Sequence, residues 1–209
     1  MVTRDKIIKS ALKLFTTHGV KTVTIDKIVK DLHTSKRTIY SHFKDKTELL
    51  TVCLEIYQQK IREENDDIIQ NSPNSITAMG HLLHRILARA QMINPNFYTD
   101  VYHYYPGLLK ELTEKHGNHA QEQLLELGIR GIQDGLFRED LDMEVVGTTV
   151  LHLLKLFKNN RKFPVLQYPK KRLTFGILVP YMRGLCTPAG LEILNKEEEL
   201  FENPVAYAG

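Results

Sequence analysis

The 209-residue chain is poor in cysteine and in long apolar segments, and both deficits exclude classes of protein. Its two cysteines, Cys53 and Cys186, are too few for a disulfide scaffold or a four-thiolate zinc site. The most apolar segment, residues 148–157, is interrupted by His152 and Lys155, whereas a membrane helix needs about 20 apolar residues. Residues 1–9 are charged and lack the apolar stretch of a signal peptide. We therefore expect a soluble, cytoplasmic protein without a membrane partner.

Motifs of common catalytic and nucleotide-binding sites are also missing. The sequence contains no Gly-x-Ser-x-Gly, no phosphate-binding loop and no Gly-x-Gly-x-x-Gly. His81 and His84, like His116 and His119, are three residues apart and could share a helix face, but zinc needs a further ligand. The sequence fixes no such ligand beside either pair, so structural histidines are the preferred interpretation. We expect no enzyme, metal or cofactor; a metalloenzyme that uses these histidines is the alternative.

The charge is distributed unevenly along the chain. Residues 1–46 contain eleven Lys and Arg against four Asp, a net charge of +7, whereas the remainder has 17 basic and 21 acidic residues, a net charge of −4. Such asymmetry suggests a basic module that binds a polyanion, followed by a part with another role.

Helical periodicity fills most of the chain between a few glycines and prolines. A first helix is predicted over residues 3–17, and short helices are predicted to follow Thr24 and Ser35, which are good N-caps. The second of these covers residues 36–43. A capping box at residues 45–48 opens a fourth helix that reaches about residue 70. Because isolated helices of eight residues are unstable in water, the first three must share a core.

Two short helices joined by a tight turn form the helix-turn-helix arrangement, whose later helix lies in the DNA major groove. Lys36, Arg37 and Thr38 occupy the first turn of that helix, from which they can reach base edges. Lys46 and Thr24 lie at helix N-termini that favour a phosphate. The alternative at this point is a three-helix bundle with a basic face that binds no nucleic acid.

A resemblance to a known family bears on this choice. The segment Ser35-Lys-Arg-Thr-Ile-Tyr-Ser-His-Phe43, followed by Lys-Asp-Lys-Thr-Glu-Leu, resembles the end of the recognition helix in the TetR family of bacterial transcriptional regulators. There the pattern is Thr-Leu-Tyr-x-x-Phe, a short turn and Lys-x-x-Leu. Phe15, Gly19, Thr24-Ile25 and Ile28 extend the resemblance, which covers about residues 4–52.

The resemblance implies roles for individual residues. Lys36 and Arg37 would reach bases; many members have a small residue where this chain has Arg37, so a different operator sequence is expected. The residues that the resemblance places on the phosphate backbone are Thr24, Ser35, Thr38, Tyr40, His42 and Lys46.

A regulator of this type needs two recognition helices, and hence a homodimer, to read a palindrome. Helices predicted over residues 143–159 and 170–185, the latter broken only by Pro180, carry more apolar surface than one buried stripe requires, and the resemblance implies that such helices pair. From apolarity alone, an interface and a simple interior fit equally well. The interface candidates are Val146, Val150, Leu153, Leu154, Phe157, Leu178, Tyr181, Met182 and Leu185.

Family members usually bind a small molecule in the part represented here by residues 75–140. Aromatic residues are concentrated there and suit a ring-bearing or amphipathic ligand, although ordinary packing beside a surface loop is the alternative. The ligand candidates are Met92, Phe97, Tyr98, Tyr102, His103, Tyr105 and His152.

These observations predict an all-α protein with a helix-turn-helix domain over residues 1–46 and a helical-bundle domain for ligand binding and dimerisation over residues 47–209. The expected function is DNA-binding transcription regulation, in which a small-molecule ligand releases a homodimeric repressor from a palindromic operator in double-stranded DNA. The alternative is a helical ligand-binding or scaffold protein without a specific operator.

Overall fold

The computed structural model describes residues 2–116, 119–157, 163 and 167–202, and the regular structure in this part of the chain is helical. Its helices are α1 (Arg4–His18), α2 (Ile25–Asp31), α3 (Lys36–Tyr40), α4 (Lys46–Asn71), α5 (Ser75–Met92), α6 (Asn96–Tyr104), α7 (Pro106–His116), α8 (His119–Gln133), α9 (Met143–Phe157), α10 (Lys170–Leu173), a π-helix (Thr174–Leu178), α11 (Val179–Leu185) and α12 (Pro188–Glu202). An isolated bridge joins Phe137 and Cys186. The predicted all-α fold is confirmed.

The chain divides into two compact units. The first unit comprises residues 1–64 and 93–117, and the second comprises residues 65–92 and 118–209. The unit that contains the first three helices is therefore larger than the predicted domain of residues 1–46. The physical reason is the shared core: Leu49 and Leu50 of α4, together with Phe97 and Val101 of α6, are buried with the side chains of α1–α3.

Local caps define the helices of the first unit. The Thr24 and Ser35 hydroxyls accept hydrogen bonds from the backbone N–H groups three residues later, as predicted. At the start of α4, Asp45 accepts from the N–H of Glu48, as the predicted capping box requires. The Glu48 carboxylate accepts from the N–H of Lys44 instead of that of Asp45, so the second half of the box is shifted by one residue. The predicted third helix is too long, because α3 ends at Tyr40.

The core of the second unit requires close packing at a glycine. A Cβ atom added to Gly131 of α8 would lie 2.2 Å from the ring of Phe137, which is 1% exposed. The segment predicted as one helix over residues 170–185 consists of α10, the π-helix and α11. Pro180 lies in the first turn of α11, where its missing N–H is tolerated, and the wider π-helix immediately precedes it.

Candidate nucleic-acid interface

The turn between α2 and α3 is fixed by backbone contacts. The N–H of Thr34 donates to the carbonyl of Val29 at 3.1 Å, and the N–H of His33 donates to the carbonyl of Lys30 at 3.3 Å. His33 has a φ of 47°, a left-handed conformation that is uncommon outside glycine. A tight turn therefore joins the two short helices, as the helix-turn-helix arrangement requires.

The two faces of α3 differ sharply. Ile39 is fully buried and Phe43 is 2% exposed, so one face is anchored in the core of the first unit. On the other face Lys36 and Arg37 are exposed, and Tyr40 is 51% exposed. Of the remaining predicted DNA-contacting residues, Thr24, Ser35 and His42 are exposed, whereas Thr38 and Lys46 are partly buried.

Asp26 of α2 is a residue that the sequence analysis missed. Its carboxylate lies 2.8 Å from the ammonium of Lys36, with both side chains largely exposed. The hydrogen bond to Asp26 and the attraction of its charge raise the pKa of Lys36, so Lys36 stays protonated. The pair draws Lys36 toward α2, but because both side chains are largely exposed the contact is weak and a phosphate or base can compete with it. Asp26 and Lys36 are ten residues apart on different helices, so no local sequence pattern predicts this contact.

The turn between α1 and α2 receives contacts from α4 and α6. The Lys46 ammonium donates to the carbonyl of Val20 at 2.6 Å, and the N–H of Lys21 donates to the Asp100 carboxylate at 2.7 Å. Burial lowers the pKa of Lys46, and the charge of Asp100 opposes this effect. Lys46 therefore already has a hydrogen-bond partner within the first unit. The sequence analysis singled out Lys46 but gave no signal for Asp100.

The predicted ligand candidates have several different environments. Phe97 is fully buried in the first unit and packs edge-on against Tyr98, with ring centroids 5.1 Å apart. Tyr102, on the same helix, is 75% exposed. In the second unit, Met92 is 84% exposed, and exposed His152 is hydrogen-bonded to its own helix. The other candidates, all in the first unit, are exposed His103 and partly buried Tyr98 and Tyr105.

Most dimer candidates contribute to the core of their own unit. Among the described side chains, Leu153 and Tyr181 are partly buried. Leu154 and Phe157 have side chains outside the described residues. The remaining five are buried, namely Val146, Val150, Leu178, Met182 and Leu185. Burial in the core of a single chain therefore explains the apolar character of these five residues without a dimer interface.

Comparison with known proteins identifies the family. The profile described as bacterial regulatory proteins, tetR family, matches residues 7–53. An HTH-type transcriptional regulator of Staphylococcus aureus (strain MRSA252) is 26% identical over 140 residues, which cover 59% of this chain and 76% of that protein. Residues 7–53 therefore match the TetR family, whose members are transcriptional regulators and not enzymes. This match and the relatives support DNA-binding transcription regulation as the function.

Solved structures of similar fold extend over nearly the whole chain. A TetR-family regulator from Marinobacter aquaeolei VT8 has a TM-score of 0.74 at 20% identity, covering 96% of this chain and 99% of that one. The regulator CifR, in complex with 26-bp double-stranded operator DNA, has a TM-score of 0.65 at 18% identity, covering 88% and 97%. These similarities support the fold assignment of both units.

Membrane-spanning helices and metal-ligating clusters are both absent from the described residues. None of the helices is both long and apolar enough to cross a bilayer. In the same residues, no group of three or more histidines, cysteines or carboxylates has the spacing of a metal site.

Proposed function

We propose that this TetR-family protein is a cytoplasmic repressor that binds a palindromic operator as a homodimer and is released by a small molecule. The observation that carries the proposal is the first turn of α3, where exposed Lys36 and Arg37 project from a helix anchored by buried Ile39. A rigid helix with long cations in its first turn has the shape and the charge to enter a major groove.

The side chains around this helix divide into two roles. Lys36 and Arg37 are long enough to donate to guanine O6 and N7, so they read bases. The shorter donors around them bind phosphate oxygens and fix the register of the helix on the duplex. We assign this second role to Thr24, Ser35, Thr38, Tyr40 and His42.

A homodimer brings two copies of α3 to one palindrome. We assign the interface to α9 and to the segment from α10 to α11. Val145 on α9 is 60% exposed, and Leu153 and Tyr181 are only partly buried, so both helices retain apolar surface for a partner. Their buried neighbours support this surface from within. Light scattering should give twice the 24.1 kDa chain mass for the free protein, and that mass plus the mass of one duplex for the operator complex.

A small cleft in the second unit supports a ligand. Gly80 and Leu83 of α5 and Leu178 of the π-helix are among the apolar residues that line it. Thr174 also lines it; this side chain is 6% exposed, and its hydroxyl has no hydrogen-bond partner among the described residues. Unpartnered buried hydroxyls are costly, and π-helical turns occur frequently at functional sites. The lining would favour a mostly apolar molecule with one hydrogen-bonding group, and the cleft, now about the size of one water molecule, has to widen to admit it. The seven ligand candidates from the sequence lie elsewhere.

Helix α4 provides a covalent route between ligand and DNA, because it begins at Lys46 in the first unit and ends at Asn71 in the second. A ligand that prefers the non-binding state of the dimer shifts the population away from the operator, typically with a coupling of about 1–3 kcal/mol.

The test of ligand release is a small-molecule screen with fluorescent operator DNA. Compounds that lower the anisotropy should also raise the thermal midpoint of the free protein. Thr174→Val keeps the shape of the side chain but removes its hydroxyl, so it should weaken the ligand response and leave operator affinity intact. If every compound that binds tightly left the operator complex unchanged, ligand release would be refuted.

A further inference from the structure

A single peptide group in the first unit is held at both ends by charged side chains. The Lys46 ammonium donates to the carbonyl oxygen of Val20 at 2.6 Å, and the Asp100 carboxylate accepts from the N–H of Lys21 at 2.7 Å. The oxygen and the nitrogen belong to the same planar peptide unit. Two charge-assisted hydrogen bonds from opposite sides therefore fix the orientation of the Val20–Lys21 peptide plane.

The environment strengthens this arrangement. Asp100 is 8% exposed and Lys46 is partly buried, so both charges act in a medium of lower dielectric than water. The Lys46 ammonium also lies 5.8 Å from the centre of the Phe15 ring, within range of a cation–π interaction. The attraction between the two charges passes through a peptide group whose dipole is aligned to favour both.

Asn94, two residues before α6, makes further contacts with the end of α1 just before this turn. The N–H of Asn94 donates to the carbonyl of Thr16 at 2.7 Å, and its side-chain amide donates to the carbonyl of Thr17 at 3.1 Å. Gly19 has a φ of +83°, and a Cβ atom on it would lie 3.0 Å from Asp100. The end of α1 and the turn after it thus fit closely against the start of α6.

The held peptide lies three residues before Thr24, the N-cap of α2. The orientation of this peptide sets the direction in which the chain enters α2. Because α3 packs on α2, it also influences the position of the recognition helix α3. We infer that Asp100 and Lys46 are positioning residues for DNA binding, which act together by fixing the Val20–Lys21 peptide. Lys46 accordingly acts through this peptide, and the two remaining N–H groups of its ammonium are left for a phosphate. The inference rests on the operator binding proposed above.

The experiment measures operator affinity and its salt dependence for Asp100→Ala, Lys46→Met and the double variant. The probe is the duplex that the wild-type protein enriches from a random-sequence pool. Each single change should weaken binding about tenfold. Without the charge-assisted hydrogen bond the turn is less ordered in the free protein, so part of the binding free energy is used to order it on the DNA. The double variant should lose little more than the weaker-binding single variant, since both side chains act on one peptide.

Controls separate positioning from folding and from general charge. Asp100→Asn retains a carbonyl oxygen as acceptor and should restore most of the affinity. Lys60→Met on the exposed surface of α4 and Glu111→Ala on the exposed surface of α7 should bind like wild type. Circular dichroism establishes that each variant is folded. If Asp100→Ala proves unfolded, the cycle is measured with Asp100→Leu and Lys46→Met, because leucine has about the size of aspartate but offers no acceptor.

The salt slope separates positioning from phosphate contact. Asp100→Ala should lose affinity with an unchanged slope, whereas a slope lowered by about one per subunit in Lys46→Met marks a phosphate contact of Lys46 itself. A changed slope in Asp100→Ala, additive losses in the double variant, or wild-type affinity in Asp100→Ala would overturn the inference.

An amide spectrum of the free protein separates this inference from the proposed function. In nuclear magnetic resonance spectra, the Lys21 amide proton should shift upfield in Asp100→Ala, and an unmoved proton would contradict the contact. Wild-type protein that prefers no DNA sequence would count against the proposed function, and the Lys21 shift would still decide whether the contact exists.

Discussion

Phe97 gives the sharpest prediction, because the sequence suggests a ligand contact whereas the structure places this ring in a core. The side chain is fully buried in the first unit, with edge-on contacts to Tyr57 at 6.2 Å and to Tyr98 at 5.1 Å between ring centroids. Truncation of a buried phenylalanine to alanine costs about 3–5 kcal/mol. This loss is a large share of the roughly 5–15 kcal/mol that stabilises a typical protein.

We therefore expect Phe97→Ala to destabilise the first unit and to weaken operator binding without any ligand. Urea unfolding followed by circular dichroism measures the loss, since the chain contains no tryptophan. Tyr102→Ala is a matched control on the same helix, because Tyr102 is 75% exposed and its truncation should change the free energy of unfolding by no more than about 0.5 kcal/mol. The reasoning would be refuted if Phe97→Ala unfolded like wild type and altered only the response to a ligand.

Three further predictions concern specificity, packing and the thiols. Arg37→Ala should cost about 1–3 kcal/mol at one operator base pair and leave the others unaffected, as measured by base-by-base substitution of the duplex. Gly131→Ala should lower the thermal midpoint, because its Cβ would overlap the buried Phe137 ring; an unchanged midpoint would contradict this. Burial raises the thiol pKa of Cys53 to about 12 and that of Cys186 to about 11, so an aromatic disulfide reagent at pH 8 should label them only after unfolding.

Features that depend on neighbouring residues could be predicted from the sequence. The caps at Thr24 and Ser35 satisfy N–H groups only three residues away, so the residue type and the apolar spacing suffice to locate them. The exposed face of α3 follows in the same way from buried Ile39 and Phe43. The end of α3 at Tyr40 could not be predicted, because Phe43 remains buried after the helix has stopped.

Contacts between distant segments escaped the sequence analysis. Asn94 meets the end of α1 across 77 residues, and Asp100 meets Lys21 across 79, so no local periodicity reports either contact. The aromatic residues of α6 suggested either a ligand site or ordinary packing, but not the unit to which the helix belongs. Similarly, the apolar excess on α9 did not reveal that Val146 and Val150 are buried within their own chain.

The most direct test of the central claim is the specificity of DNA binding across salt concentrations. The protein is first used to enrich duplexes from a random pool, and fluorescence anisotropy then compares the enriched duplex with a scrambled one. The account predicts a palindromic sequence, a preference of about a thousandfold or more, and affinity that falls steeply with salt. Failure to enrich any sequence, or equal affinity for both duplexes at every salt concentration, would contradict it.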